Sequence, residues 1–220
     1  MVENNHIIAI LGGTGKEGSA LALRWASAGF TVIIGSRKVE KAQATAAELN
    51  KQLDKKKIIG MENGSAAKQA DICVLTVVQE AHRLVLESLI DELQGKILVD
   101  ATARVDFRDP RPPESPSAAR TAQTILGSKV KVVAAFQNIP ANSLKKDISL
   151  PINSDVLVCA DDISAAQQVI QLGQAAGLRG YYAGGLDNAI VVEGLTSILI
   201  SINKYYKIKT ASISISGLEV

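Results

Sequence analysis

Short runs of β-branched residues alternate along this chain with longer stretches whose apolar positions recur every three or four residues. A strand buried on both faces is apolar throughout, whereas a helix covering a sheet is apolar on one side, so the alternation reads as successive βαβ units. The pattern predicts strands over residues 6–11, 31–36, 57–61, 71–77, 96–101, 131–136, 155–160 and 178–183. It predicts helices over 16–28, 39–53, 64–69, 81–93, 117–126, 164–176 and 188–204. Gly29, Gly95, Gly127 and Gly177 each follow a helical stretch, where glycine takes the left-handed conformation that ends a helix. The fold class is α/β, a doubly wound and mainly parallel sheet with a small C-terminal extension.

Two stretches break the rhythm. Residues 104–116 (RVDFRDPRPPESP) carry Pro110, Pro112, Pro113, Pro116 and three arginines, which requires an extended loop. Residues 137–151 (QNIPANSLKKDISLP) follow a strand, end in proline and read as a second irregular connection. Loops after the strands of an open α/β sheet converge on its ligand crevice. Residues 189–202 are apolar on more than one face, with Ile190, Val191, Val192, Leu195, Ile198 and Leu199 among them. A helix of that kind is covered on all sides. Too little chain follows to cover it, so a homodimer is expected.

Composition narrows the function. Across 220 residues, 24 basic and 22 acidic side chains leave a net charge of +2, so no nucleic-acid partner is expected. Aromatics are 4%, which makes the core aliphatic. Cys73 and Cys159 both lie inside apolar strand-like runs and are expected as buried, reduced thiols. Stretch 189–202 is too short and polar for a bilayer-spanning helix of ~20 apolar residues, and no signal peptide is legible. A cytoplasmic protein without membrane partner is expected.

The chemistry gathers at the first strand. Gly13, Gly15 and Gly18 give G-x-G-x-x-G directly after IIAIL and at the mouth of a helix, with Gly12 as a fourth glycine. In strand–turn–helix context this is a pyrophosphate cradle of the Rossmann type. One glycine makes the turn, one admits the phosphate, one lets helix and strand pack, and the helix N-terminus offers free N–H groups. The second strand ends in GSRKVEK, with no carboxylate for the adenosine ribose. Ser36, Arg37, Lys38 and Lys41 stand there instead, a set suited to a 2′-phosphate, which points to NADP over NAD. Residues 1–150 are therefore expected as the NADP-binding Rossmann unit and 151–220 as an extension completing the site and the dimer.

Read in order, GGTGKEG, GSRKVEK, AFQNIPAN and DVLVCADD make the chain resemble the NADPH-dependent coenzyme F420 reductases along nearly its whole length. That resemblance implies a hydride carrier between two cofactors, NADP and the deazaflavin coenzyme F420. It implies that Thr14, Gly15, Lys16 and Glu17 line the pyrophosphate turn and that Ser36, Arg37 and Lys41 hold the 2′-phosphate. Val77, Ala81 and Ala103 would flank the nicotinamide half, Ala141 would lie at the junction of the two rings, and Ala211 would contact the deazaflavin. The family pattern has histidine where Gln137 and Ala81 stand here. The small residues Ala101, Ala103, Ala141, Gly184 and Gly185 are expected around the junction. At least one of Arg104, Arg108 and Arg111 is expected to meet the deazaflavin's anionic tail.

No catalytic side chain and no metal is expected, because the cofactors carry the reactivity. His6 and His82 are given no role, and Asp161 and Asp162 are expected to cap the helix near Ser164. Two other readings start from the same motif. An imine or keto reductase would need a long helical substrate domain, and a nonenzymatic NADPH sensor would bind the nucleotide without an acceptor.

Overall fold

A computed structural model of the protein describes residues 6–53 and 57–218. Eight strands form one sheet: β1 (Ile7–Leu11), β2 (Thr31–Ser36), β3 (Ile58–Glu62), β4 (Ile72–Leu75), β5 (Ile97–Asp100), β6 (Lys131–Ala134), β7 (Asp155–Ala160) and β8 (Arg179–Tyr182). Their order is β3-β2-β1-β4-β5-β6-β7-β8. The chain winds outward one way from β1 to β3 and the other way from β4 to β6, so the doubly wound sheet has its switch point between β1 and β4. Ligands bind at that position in such sheets.

Alternation along the strands explains the two covering layers. Ile8 and Ile10 of β1 face one apolar cluster, and Ala9 and Leu11 face the other. The first cluster takes the inner faces of α1 (Lys16–Ser27), α2 (Val39–Leu53) and α8 (Ile163–Ala175). The second takes α3 (Asn63–Gln69), α4 (Gln79–Glu87), α6 (Ala118–Leu126) and the start of α9 (Ala189–Tyr205). Gly29, Gly95, Gly127 and Gly177 all have positive φ, as the helix stops require. Both cysteines are buried and free, and burial pushes the Cys73 thiol up to about 12 and Cys159 up to about 11.

Three features depart from the sequence pattern. The helix expected over 81–93 is broken into α4 and a single turn, α5 (Ile90–Leu93). The Ser88 hydroxyl donates to the Val85 carbonyl at 2.9 Å and so competes with the helical ladder at the break. The connection over 137–151 contains a one-turn helix, α7 (Ala141–Leu144), entered through Pro140. Strand β7 runs antiparallel to β6, and β8 runs parallel to β7. The last two strands therefore start at the end of the sheet where β1–β6 finish.

α9 and the 3₁₀ turn before it, Leu186–Tyr205, form one stretch of 20 residues that is long and apolar enough to cross a membrane. It is longer than the sequence pattern indicates, yet it is built into the fold. Glu193 on its inner face is 2% exposed and accepts from Arg104 Nε at 2.7 Å, Arg104 N at 2.9 Å and Ala118 N at 2.9 Å.

Candidate functional site

The glycine-rich turn between β1 and α1 is shaped by close approaches. Gly12 has φ +71°, and a Cβ there would run into Val77 Cγ1. A Cβ on Gly18 would come within 2.7 Å of both Gly13 Cα and Thr76 Oγ1, so α1 can lie against the turn only through glycine. Gly15 is the opposite case. It caps the N-terminus of α1 and faces open space, with nothing within 4 Å of an added Cβ. An anion can therefore reach its backbone and the unpaired N–H groups of the helix end, which is the fit a pyrophosphate needs. Asn63, which the sequence did not flag, fixes the turn from below: its Oδ1 accepts from Gly12 N at 3.2 Å.

At the end of β2, Ser36 is buried and its Oγ accepts from Lys38 N at 3.2 Å. Arg37, Lys38 and Lys41 are exposed around it, and none of the three is paired with a carboxylate among the described residues. Three cations beside a hydroxyl, unpaired among the described residues, have the charge and donors that could hold a phosphate dianion.

A cleft of about 620 Å³ opens from this turn across the carboxyl ends of β4, β5 and β6. Gly15, Lys16, Glu17, Val77, Ala103, Ala141 and Ala211 all line it. The sequence placed each of these at the cofactors. Thr14 lines an adjoining groove along α1, while Gly13 and Gly18 are packed inside the turn. Ala81 does not reach the cleft. α4 begins at Gln79, two residues before the expected start, and Ala81 packs on the apolar layer of the sheet. Gly184 and Gly185 do not reach it either. With β7 and β8 reversed, they lie at the other end of the sheet, where Gly184 O accepts from Ala160 N and Asp161 Oδ1 accepts from Leu186 N.

Several cleft residues carried no sequence signal. Thr196, Leu199, Ile200 and Asn203 bring one face of α9 to the wall. A helix apolar on several sides gives no hint which face does so. The segment after β6 enters through Phe136, which has φ +75° and is held fully buried against Trp25 in an edge-to-face pair with centroids 5.8 Å apart. That strained backbone turns Gln137 to Asn142 into the cleft. Gln137 Nε2 donates to Asp100 O at 2.8 Å and its Oε1 is buried without a partner among the described residues. Arg24 of α1 gathers the far side of the same loop, with Nε on Leu144 O at 2.8 Å and Nη1 on Leu150 O at 3.2 Å. The Ala141 turn is thereby tied to the helix that begins at the pyrophosphate turn.

The charged groups nearby sort into structural and open ones. Arg104 is committed to buried Glu193, and Arg111 pairs with Asp109 at 2.8 Å on the surface. Arg108 alone of the three loop arginines has a guanidinium with no carboxylate partner among the described residues; only its backbone N–H meets one, donating to Asp106 Oδ1 at 2.7 Å. Asp162 caps α8 through Ala165 N at 2.8 Å, whereas Asp161 is taken by Arg120 at 2.8 Å. His82 is not on a polar surface. It is buried on α4 with Nε2 2.7 Å from Asp100 Oδ2. Glu17 is the unusual member of the turn. Its Oε1 is enclosed without a hydrogen-bond partner among the described residues, and burial pushes its carboxyl up to about 8.

Comparison with known proteins adds an end-to-end relationship. The family profile for coenzyme F420-dependent NADP oxidoreductases matches residues 7–104. The F420-dependent NADP reductase of Methanocaldococcus jannaschii is 40% identical over 225 residues, covering 97% of this chain and 99% of that protein. The protein of the same name from Methanothermobacter marburgensis is 38% identical over 221 residues, covering 96% and 98%. A solved structure from Arthrobacter sp. FB24, provisionally named an F420-dependent NADP reductase, superposes with a TM-score of 0.81 at 23% identity, covering 97% of this chain and 100% of that one.

Proposed function

The chain belongs to the coenzyme F420-dependent NADP oxidoreductases, and from that premise we propose that it moves a hydride reversibly between NADP(H) and the deazaflavin coenzyme F420. The observation that carries the reading is the single cleft running from the open backbone of Gly15 to Ala141 and Ala211. Two flat rings need to stack there without an intervening side chain, and small residues at the junction allow it. The bound cofactors supply the hydride chemistry themselves; the chain binds, orients and keeps water from between them.

In this assignment Gly13, Thr14, Gly15, Lys16 and Gly18 hold the pyrophosphate, with Glu17 beside it. Ser36, Arg37 and Lys41 take the 2′-phosphate, and their unneutralised charge favours NADP(H) over NAD(H). Val77 and Ala103 bound the nicotinamide half, Ala141 lies beside the junction of the rings, and Ala211 supports the deazaflavin. Arg108 is the loop arginine left to meet the anionic tail, since Arg104 is held by Glu193. Residues 1–150 act as the NADP half and 151–220 complete the deazaflavin site, in a cytoplasmic homodimer.

The test is a label transfer. Stereospecifically deuterated NADPH is mixed with oxidised deazaflavin, and the deazaflavin's visible absorbance and its deuterium content are followed. Bleaching with label on the reduced deazaflavin is expected. NADPH binding with neither would leave a nucleotide sensor.

A further inference from the structure

The mechanism above uses Glu17 only as part of the turn, yet its position in the first turn of α1 asks more of it. Glu17 lines the cleft, its Oε1 is fully enclosed, and no described residue donates to or accepts from that atom. A carboxylate left this way beside a pyrophosphate dianion would add like charge where the enclosure of Oε1 limits screening by water. A carboxylic acid in the same place would have a proton to give and an anionic acceptor to receive it.

We propose that Glu17 binds the dinucleotide as a neutral acid, donating its proton to an oxygen of the cofactor at the pyrophosphate turn, so that loading the cofactor at alkaline pH takes up one proton. The inference rests on the nucleotide site assigned above and deepens it. The surrounding charges do not supply an alternative partner. Lys16, Glu48 on α2 and Lys145 after α7 line the groove along α1, Lys209 stands on the cleft wall, and none bonds the Glu17 oxygen. β4, β5 and α9 present only uncharged residues to the cleft. Burial alone already pushes the free carboxyl up to about 8. Bound NADP(H) would raise it further, which is the linkage that makes binding consume a proton.

The experiment is NADPH binding to the full chain, without deazaflavin, from pH 7 to pH 9.5, with proton uptake read by calorimetry in buffers of different ionisation heat. The wild-type Kd is expected to rise about thirtyfold over that range, the consequence of one group titrating near 8 that must be protonated in the complex. About one proton should be taken up per NADPH bound at pH 9. Glu17→Gln keeps a donor and loses the titration, so its Kd should not follow that rise. Glu17→Leu keeps the volume and loses the donor, so it should bind about tenfold or more weakly at pH 7 without the slope. A flat wild-type profile, or the same rise in Glu17→Gln, overturns the proposal while leaving the nucleotide site intact. Absence of NADPH binding at pH 7 in the wild type overturns the nucleotide site and the proposal with it.

Discussion

At the scale of single residues, the groups proposed to meet the cofactor are electrostatically unsettled in the free state. Arg37 and Lys41 stand exposed without carboxylate partners among the described residues, and Ser36 is buried next to them with its hydroxyl already oriented by Lys38 N. No described residue bonds the Arg37 side chain, which is exposed, so its replacement should act on binding. Arg37→Ala is expected to weaken NADPH about tenfold to a hundredfold, the usual worth of a charge-assisted hydrogen bond, while leaving NADH affinity within experimental error. Parallel fluorescence titrations with the two nucleotides check it, and equal losses would remove the 2′-phosphate assignment. Glu17 gives the opposite kind of prediction, on stability. Its carboxyl is raised from 4.5 to about 8 in the fold, so the folded state holds a proton that the unfolded chain releases. Stability of the free protein should therefore fall as pH rises between those values, and Glu17→Gln should remove that slope in denaturant melts. At Ala141, a larger side chain such as Leu should separate the rings, lowering kcat far more than it raises the Kd for NADPH.

At the scale of elements, what the sequence disclosed followed from what each pattern encodes. IIAIL, TVIIGS and ICVL are apolar runs that could only be buried strands, and the glycines after IIAIL marked the turn into α1. Direction was not encoded: DVLVCA reads the same whichever way it runs. The reversal of β7 and β8 therefore moved Gly184 and Gly185 away from a cleft that a parallel sheet would have given them. The break at Ser88 was hidden because a serine hydroxyl is neutral in a helix until it bonds its own backbone. Glu193 was hidden for a different reason. A lone acid in the apolar run AIVVEGLTSILI shows no partner until Arg104 is brought to it from 89 residues away. That pair ties the proline-rich loop and the N-terminus of α6 to α9. Removing Arg104 leaves the buried Glu193 carboxylate without its counter-charge, so Arg104→Ala should lower unfolding stability by ~3–5 kcal/mol, measured by chemical denaturation. The same change should blur the loop that carries Arg108, and Arg108→Ala by itself should raise the deazaflavin's KM and reduce its dependence on salt. Unchanged KM and salt dependence in Arg108→Ala would leave the loop as a connector.

At the scale of the molecule, α9 joins two roles that pull its faces in different directions. Val192 and Glu193 are buried on one face, and Thr196, Leu199, Ile200 and Asn203 bring a second face to the cleft. The third face is open. Val191, Ile198, Ile202 and Tyr205 recur at helical spacing and are 66%, 52%, 36% and 80% exposed, and Tyr206 and Ile208 continue the stripe beyond the helix end. Water contact along an apolar stripe of that length is costly and marks an association surface. Because every copy carries the same stripe, two chains can cover it by a two-fold contact that closes on itself. The cleft gains from this arrangement, since the helix that forms its wall would be held from both sides. The expected result is a mass in solution, by light scattering at micromolar concentration, of twice the single chain. Two charges placed in the stripe, Val191→Glu with Ile198→Glu, fall on residues that do not line the cleft and should yield a monomer whose NADPH affinity is little changed. If α9 needs its neighbour to hold the wall, that monomer should show a raised KM for the deazaflavin, whose proposed site includes residues of α9 and the segment after it. A wild-type chain that runs as a monomer would instead mean that the stripe meets some other apolar surface, and the wall of the cleft would have to be rigid on its own.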